Sequence, residues 1–460
     1  MQVAVIGCGY VGLATSVVLA DLGHHVTGVE IDSRKLARLR DGLAPIFEAH
    51  LQDLLTANLK AGRVEFTDDH DSACRGARVI IVAVGTPTRE TWEIDLSQLE
   101  SAIDSIAGAL ESQDEGAVAP VVVIKSTVPS GTMDYLRERL RRSCAGSACH
   151  AERAFMIASN PEFLREGQAI FDTFYPDRIV IGADDEEPFV VLDELYARIV
   201  SQDFDDSPPR PARPPAFRSP VPVIKTTPRS SEMIKYAANA FLATKISFIN
   251  EIANLCEEVG ADINDVARGI GLDPRIGPQF LRAGIGYGGS CFPKDTKALH
   301  QHAGSRGYTF TLLNAVIEVN RIQRYRFLAR IRRALEPLSG KTLGVFGIAF
   351  KPGTDDIREA PSIDLMRELS RDGASLKATD PRAIENARAV FAGCTYFEDP
   401  YEVARDADAI LLVTEWPEFL SLDWKKIAGL MRGNLVFDGR NCLDRNALGH
   451  VGLRVVGVGR

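Results

Sequence analysis

The chain has 460 residues and a formal net charge of −9. A single core stops growing well below this length, so two or three domains are expected. The acidic balance excludes a basic surface for nucleic acid or anionic membrane, and no run of about 18 apolar residues is available to span a bilayer.

Apolar, β-branched runs open the chain and alternate with helical patterns: "QVAVIG", "HHVTGVEID", "RVIIVAVGTPT", "APVVVIKSTV", "AFMIASNP" and "DRIVIGA". They are continuous rather than alternating, which predicts strands buried on both faces, a parallel sheet covered by helices, to about residue 205. "MQVAVIGCGYVG" lacks the basic start and cleavage site of a secretory leader and reads as a strand entering a glycine turn. The following "SQDFDDSPPRPARPPAFRSPVP" is rich in proline and charge, and predicts an extended loop or linker over 206–229.

Helical spacing runs from Ser230 to Val259 and stops at Gly260, a long helix with a broad apolar surface. A second long helix, "TLLNAVIEVNRIQRYRFLARIRRALEPL", follows the glycine-rich "GYGGSCFPKD". Together they make 230–335 a helical middle able to act as spine, dimer interface or both. From 336 to 460 strand and helix alternate again, and this part echoes the first. "RDADAILLVTEWPE" matches "RGARVIIVAVGTPT", and "ASLKATDPRAIEN" resembles "HHVTGVEIDSRKL". The fold class read from the pattern is α/β, two related parallel sheets joined by helices.

In "GCGYVG", Gly7, Gly9 and Gly12 fit GxGxxG, with Tyr10 and Val11 between them, after a strand and at the opening of a helix. Such glycines let backbone amides and a helix N-terminus approach a pyrophosphate. Glu30 ends the next strand at the spacing of a ribose ligand; its carboxylate would accept from ribose hydroxyls and repel a 2′-phosphate, favouring NAD over NADP, while Arg34 and Lys35 work against that preference. "VGTPT" and "STVPSGT" place small hydroxyl residues after two further strands, where ordinary turn chemistry accounts for them as well as a ligand does.

Lys235 and Asn239 are four apart on the long helix and share a face. They read either as an oxyanion-binding pair or as a solvated lysine with a neighbour. The eight cysteines (Cys8, Cys74, Cys144, Cys149, Cys256, Cys291, Cys394, Cys442) form no CxxC pair and no metal-ligand spacing, which predicts free thiols in a reducing cytoplasm. Cys291 differs from the others. Pro293 suits the first turn of a helix, so Cys291 falls just before a helix N-terminus and near Lys294, both of which favour a thiolate. Gly286, Gly288 and Gly289 are expected to let a bulky substrate approach the backbone. Taken alone, the stretch also fits a structural loop with an incidental cysteine.

In combination the chain resembles the UDP-glucose/GDP-mannose dehydrogenase family over nearly its whole length. "GYVG", "VGTPT", "STVPSGT", "NPEFLREGQAI", "EMIKYAANAFLATKISFINEIA", "GYGGSCFPKD", "GIAFKPGTDDIREAPS" and "FDGRN" occur in the family's order, and "RIGPQFLRAGIGYGG" is similar to its UDP-glucose branch. The resemblance implies two Rossmann-like domains joined by a long central helix, a homodimer or higher oligomer, NAD as cofactor and UDP-glucose as the small-molecule substrate. It implies oxidation of the sugar's C6 alcohol to a carboxylate through a cysteine adduct, because an aldehyde trapped on sulfur can lose a second hydride and leave a thioester for water to cleave. By match to the motifs, Cys291 is the nucleophile and Lys235 and Asn239 bind the oxyanion. Asp295, with a water near Thr127, serves proton transfer, and Glu162 assists hydrolysis. Cofactor positions are the "GCGYVG" loop, Glu30, Lys35, Thr86, Thr127, Lys294 and Arg358. Substrate positions are Glu162, Phe163, Leu164, Arg165, Lys235, Asn239, Phe280, Leu281, Arg282, Gly288, Phe350, Lys351 and Arg440. Arg275 reaches the partner's site.

The proline-rich stretch, "SCAGSACHAER" and "FEAHLQDLL" depart from the family pattern and are expected to lie outside the chemistry. Three other readings compete: a two-electron hydroxyacid dehydrogenase, which has no need of Cys291; the same chemistry on UDP-N-acetylmannosamine or GDP-mannose; and a catalytically silent nucleotide-sugar sensor, which has no use for a nucleophile.

Overall fold

The computed structural model describes residues 1–111, 118–144 and 155–460. Most of "SCAGSACHAER", with Cys149, lies outside the described residues. The chain divides into two units, Met1–Ala237 and Ala238–Arg460.

The first unit is built on a sheet of eight strands: β1 (Gln2–Ile6), β2 (His25–Val29), β3 (Val64–Thr67), β4 (Val79–Val82), β5 (Val121–Ile124), β6 (Met156–Ser159), β7 (Ile179–Gly182) and β8 (Val223–Thr226). Their order is β3-β2-β1-β4-β5-β6-β7-β8. β4 and β5, "VIIV" and "VVVI", are buried at every position, as strands covered on both faces must be. All neighbours run parallel except β6 and β7, joined antiparallel through Ser159 and Gly182. Gly182 is required there, since a Cβ would come within 2.5 Å of Ser231 Cβ. The sequence reading missed β3, a four-residue edge strand with one outward glutamate, too short to stand out by pattern.

The second unit repeats the plan with β9 (Thr342–Phe346), β10 (Ser375–Thr379), β11 (Thr395–Tyr396), β12 (Ala409–Leu412), β13 (Leu435–Asp438) and β14 (Arg454–Val456) in the order β11-β10-β9-β12-β13-β14. The echo between the two ends of the sequence is therefore an echo of position: β4 and β12 each flank the first strand of their sheet. It extends to single bonds. Gly7, after β1, donates to Val29 at 2.9 Å, and Gly347, after β9, donates to Thr379 at 2.9 Å, both with positive φ. In the second sheet, however, Asp380 turns its carboxylate back onto that loop. Its Oδ2 accepts from the amides of Ile348 (2.6 Å) and Ala349 (3.0 Å) and from the Trp416 indole (3.1 Å).

The long helix spans Pro228–Val259, and Gly260, at φ +74°, ends it as a left-handed C-terminal glycine does. A 25-residue helix, Thr311–Leu335, belongs to the second unit. No helix among the described residues is long and apolar enough to cross a membrane.

Composition gave no reason to expect the proline-rich stretch to pack, yet its few aromatic and charged groups dock on the first unit. Phe204 stacks at 5.4 Å from Phe174 and 5.9 Å from Tyr175, and Phe217 meets Tyr175 edge-on at 5.4 Å. Arg210 pairs with Asp21, and the Tyr175 hydroxyl donates to the Pro211 carbonyl at 2.8 Å. Phe204→Ala is expected to cost about 3–5 kcal/mol by opening this cluster. Denaturant melts of the variant check it, and an unchanged midpoint would show the segment to be a passive spacer.

Candidate active site

In the first unit, β1 and β4 are neighbours whose chain continuations diverge, which places a crevice at their carboxyl ends. Gly9 is the N-cap of the helix Tyr10–Asp21 that Tyr10 and Val11 begin. A Cβ on Gly12 would lie 1.8 Å from the Gly7 carbonyl oxygen, and one on Gly7 2.9 Å from that of Ala83, so the turn closes only with glycine at both places. Glu30 is buried, one oxygen taken by the Asp32 amide at 2.9 Å. Asp32 in turn caps the next helix through the amides of Arg34 and Lys35. Thr86, from the loop after β4, donates to the Thr127 carbonyl at 2.9 Å, tying together the two hydroxyl loops. A loop that no side chain can fill, an open helix N-terminus and a carboxylate at the end of β2 suit a dinucleotide with a free ribose diol.

The same unit buries a charged cluster. Lys235 donates to Glu162 Oε1 at 2.8 Å, with side-chain exposures of 4% and 8%. The amide of Leu164 donates to the other oxygen at 2.5 Å, and the Phe163 ring lies 5.4 Å below the Lys235 ammonium. Lys125, at the end of β5, is buried nearby and donates to Asn160 Oδ1 at 3.0 Å, an oxygen that also accepts from the Tyr196 hydroxyl at 2.7 Å. Burial works to raise the Glu162 pKa, but the charge and hydrogen bond of Lys235, the Leu164 amide and the Lys125 charge together hold it below the usual carboxylate value. Burial pulls Lys125 down to about 8, against the attraction of Glu162. The cluster thus keeps a dry carboxylate ionised beside two lysines, one of them close to losing its proton. Arg165 takes no part in it: its guanidinium and amide are both held by Asp172.

In the second unit, Cys291 is half-buried and is the N-cap of the helix Phe292–Ser305, with Pro293 in the first turn as expected. The amides of a helix start favour a thiolate. Lys294 turns its ammonium to Asp295, at 2.6 Å, and Asp295 also accepts from Asn239 Nδ2 at 2.6 Å. Asp295 is 1% exposed, so it is a carboxylate held by a cation and an amide at the base of the cysteine loop.

The strip before the cysteine, "AGIGYGG", has no regular structure and is held by side chains instead. Asn320 accepts from the Tyr287 amide (2.8 Å) and donates to its carbonyl (3.1 Å). Gln323 donates to the Gly284 carbonyl (3.0 Å), and Asn250 accepts from the Gly284 amide (2.8 Å). The space that the missing side chains of the glycines leave is taken by protein. A Cβ on Gly286 would meet Asn320 at 2.5 Å, one on Gly288 the Glu359 carbonyl at 2.4 Å, and one on Gly289 the Phe350 ring at 2.7 Å. Their smallness lets protein pack on the strip.

Beside the strip is a cavity of about 250 Å³, lined by Ile246, Asn250, Phe280, Arg282, Gly284, Gly286, Tyr287, Gly288, Phe292, Phe350, Lys351, Glu415 and Arg440. Three cations and several rings in one hollow suit a diphosphate joined to a planar base. Arg440 also clamps the site, donating to the carbonyls of Val413 (2.7 Å), Gly286 (3.0 Å) and Phe350 (3.2 Å). Leu281 is buried in the core, Arg358 lies on Asp356, and Arg275 pairs with Asp273 at 87% exposure. Sequence reasoning missed Lys125, Asn160, Asn250, Asn320, Gln323 and Glu415. A lysine ending "VVVIK" and polar residues within apolar helix faces were the available signals.

Lys235→Met leaves Glu162 with burial as the largest influence on it, so its pKa rises. The wild-type carboxylate stabilises the fold above the unfolded pKa and loses that contribution as pH falls through the lower folded value; a raised pKa reverses the sign. The variant is therefore expected to lose about 3–5 kcal/mol near neutral pH and less at mildly acid pH, as read from a pH series of urea melts. A loss independent of pH would contradict the ionised pair.

Comparison with known proteins gives the family. Models of the UDP-glucose/GDP-mannose dehydrogenase family match residues 1–200 (NAD binding domain), 229–322 (central domain) and 344–445 (UDP binding domain). The chain is 43% identical to the UDP-glucose 6-dehydrogenase YwqF of Bacillus subtilis, over all of this chain and 98% of the relative, and 43% identical to the UDP-glucose 6-dehydrogenase of Rhizobium meliloti, over the full length of both. Among solved structures, a UDP-glucose dehydrogenase from Pyrobaculum islandicum superposes with a TM-score of 0.84 at 36% identity, covering 95% of this chain and 94% of that one. On all three segments, this chain belongs to the UDP-glucose/GDP-mannose dehydrogenase family.

Proposed function

We propose that the chain oxidises UDP-glucose at C6 to UDP-glucuronate with Cys291 as a covalent catalyst. The observation that carries this is the cysteine at a helix start whose next turn presents Asp295 held by Asn239 and Lys294. The relatives at 43% identity named for UDP-glucose support the choice of sugar over another nucleotide sugar. Gly7, Gly9, Gly12, Glu30, Lys35, Thr86 and Thr127 are the residues for NAD, which supplies the hydride acceptor, two molecules per sugar.

The C6 hydroxyl gives up its proton to a water, for which Asp295 and Thr127 are the residues assigned, and its hydride, leaving an aldehyde. The Cys291 thiolate adds to the aldehyde carbon, forming a C–S bond and an oxyanion that Lys235 and Asn239, one turn apart on their helix, are suited to bind. Loss of the second hydride makes a thioester. Water, oriented or deprotonated by Glu162, adds to it, the C–S bond breaks, and the products are a carboxylate and the free thiolate. The cavity cations Arg282, Lys351 and Arg440 take the diphosphate.

Assembly belongs to the same reading. Phe241, Phe248 and Leu255 recur every seventh residue on the long helix at 66%, 52% and 56% exposure, with Val259 beyond them at 67%. A row of exposed apolar residues of this kind fits a second copy, and a homodimer is the simplest closed form. The free thiols among the described residues fit a cytoplasmic enzyme.

Supplied with UDP-glucose, the protein is expected to yield two NADH per sugar consumed, and Cys291→Ala to yield no uronate. One NADH per sugar, or an unimpaired alanine variant, would overturn the mechanism. Phe241→Glu with Phe248→Glu is expected to shift the protein to the mass of one chain in light scattering; an unchanged mass would place the oligomer contact elsewhere.

A further inference from the structure

Asn250 is among the polar groups of the second unit's cavity that the mechanism leaves unused. Asn250 lies on the long helix, is fully buried and lines the cavity. Its orientation is fixed by its neighbour: the Gly284 amide can only donate, so the side-chain oxygen must face it, at 2.8 Å. That leaves both N–H bonds of Nδ2, which is buried and has no hydrogen-bond partner among the described residues. A donor left so costs stability unless something that binds there accepts from it.

Position along the helix says which part of a ligand this is. Asn239, whose amide holds Asp295 beside the cysteine loop, is eleven residues earlier, about three turns and 16 Å along the same face. The strip runs antiparallel to the helix, so the two agree: Gly284, bonded to Asn250, is seven residues ahead of Cys291. A sugar carbon at Cys291 therefore puts the far end of an extended nucleotide sugar, beyond its phosphates, at Asn250. Arg282, Lys351 and Arg440 serve the phosphates and leave a neutral acceptor for the amide.

We propose that Asn250 is a specificity-determining residue that donates from Nδ2 to a carbonyl oxygen of the pyrimidine base, while its oxygen holds the strip at Gly284. The inference rests on the nucleotide-sugar reading above and names the residue that reads the base. A uracil carbonyl completes the amide's bonding.

Asn250→Asp tests this because it keeps an oxygen for the Gly284 amide and replaces the donor by an acceptor. Calorimetry of wild type and variant would use two probes, UDP and ribose 5-diphosphate, which lacks the base. The variant is expected to bind UDP about 10- to 100-fold more weakly, to bind ribose 5-diphosphate as before, and to show a raised KM for UDP-glucose with kcat little changed. Equal binding of UDP by both proteins overturns the inference, as does an equal loss for both probes, which would mark Asn250 as a scaffold residue only. The wild type alone gives a second test that no folding defect can confuse. Of 2-thio-UDP and 4-thio-UDP, whose sulfur is a poor acceptor, one is expected to bind roughly tenfold more weakly than UDP, and undiminished binding of both would overturn the inference. A wild type that does not bind UDP overturns the nucleotide-sugar reading itself.

Discussion

The second unit depends on how closely other protein approaches the strip from Ala283 to Gly289. Gly284 is within 2.7 Å, measured from where a Cβ would stand, of the Gly439 carbonyl after β13, and the glycines that follow are pressed against Asn320, Glu359 and Phe350. Four glycines allow four close contacts from separate parts of the unit. The backbone thus exposed is then bonded by Asn250, Asn320, Gln323 and Arg440. This explains how an irregular segment can carry a nucleophile: side-chain amides replace the ladder a strand would have had, and the cysteine is held by bonds made several residues before it.

The first unit solves a different problem, that of keeping charges in a dry place. Glu162 and Lys235 are each almost without solvent, where an isolated charge is strongly disfavoured. The pair persists because Glu162 also takes an amide and feels a second lysine. Lys125 is itself satisfied by Asn160, which is fixed by the Tyr196 hydroxyl and by donating to the Val180 carbonyl at 2.8 Å. The ionised carboxylate therefore rests on a chain of partners reaching to β7, and its protonation state is a property of that chain as much as of the pair.

Much of this was legible in the sequence because the signals were local. Unbroken runs such as "VVVI" can only be strands sealed on both faces, GxGxxG has one steric explanation, and Pro293 marks a helix start that puts Cys291 at its cap. What sequence could not supply was pairing at a distance. Nothing in "NPEFLREG" says that Glu162 meets Lys235 while Arg165 turns to Asp172, and Asn250 has no spacing rule until Gly284 is seen against it. The glycines show the limit best: their need for space was readable, but not that protein would fill the side-chain positions while Gly284, Gly286 and Gly288 still line the cavity. The docking of Phe204 and Phe217 was hidden for the same reason, since two aromatics among prolines have no periodicity.

The two sheets share a strand order and even the bond from the glycine after the first strand, but they differ in the use made of the next two amides. After β9, those of Ile348 and Ala349 already carry an anion, the Asp380 carboxylate, which the Trp416 indole pins in place. Glu30, in the matching position of the first sheet, gives its oxygen to Asp32 instead. One side chain thus acts as a permanent internal counter-ligand, and a loop placed as the dinucleotide cradle is in the first sheet is plugged. The second sheet is sealed at its switch point, and the far part of that loop, with the loops after β12 and β13, furnishes Phe350, Glu415 and Arg440 to a cavity of a different kind.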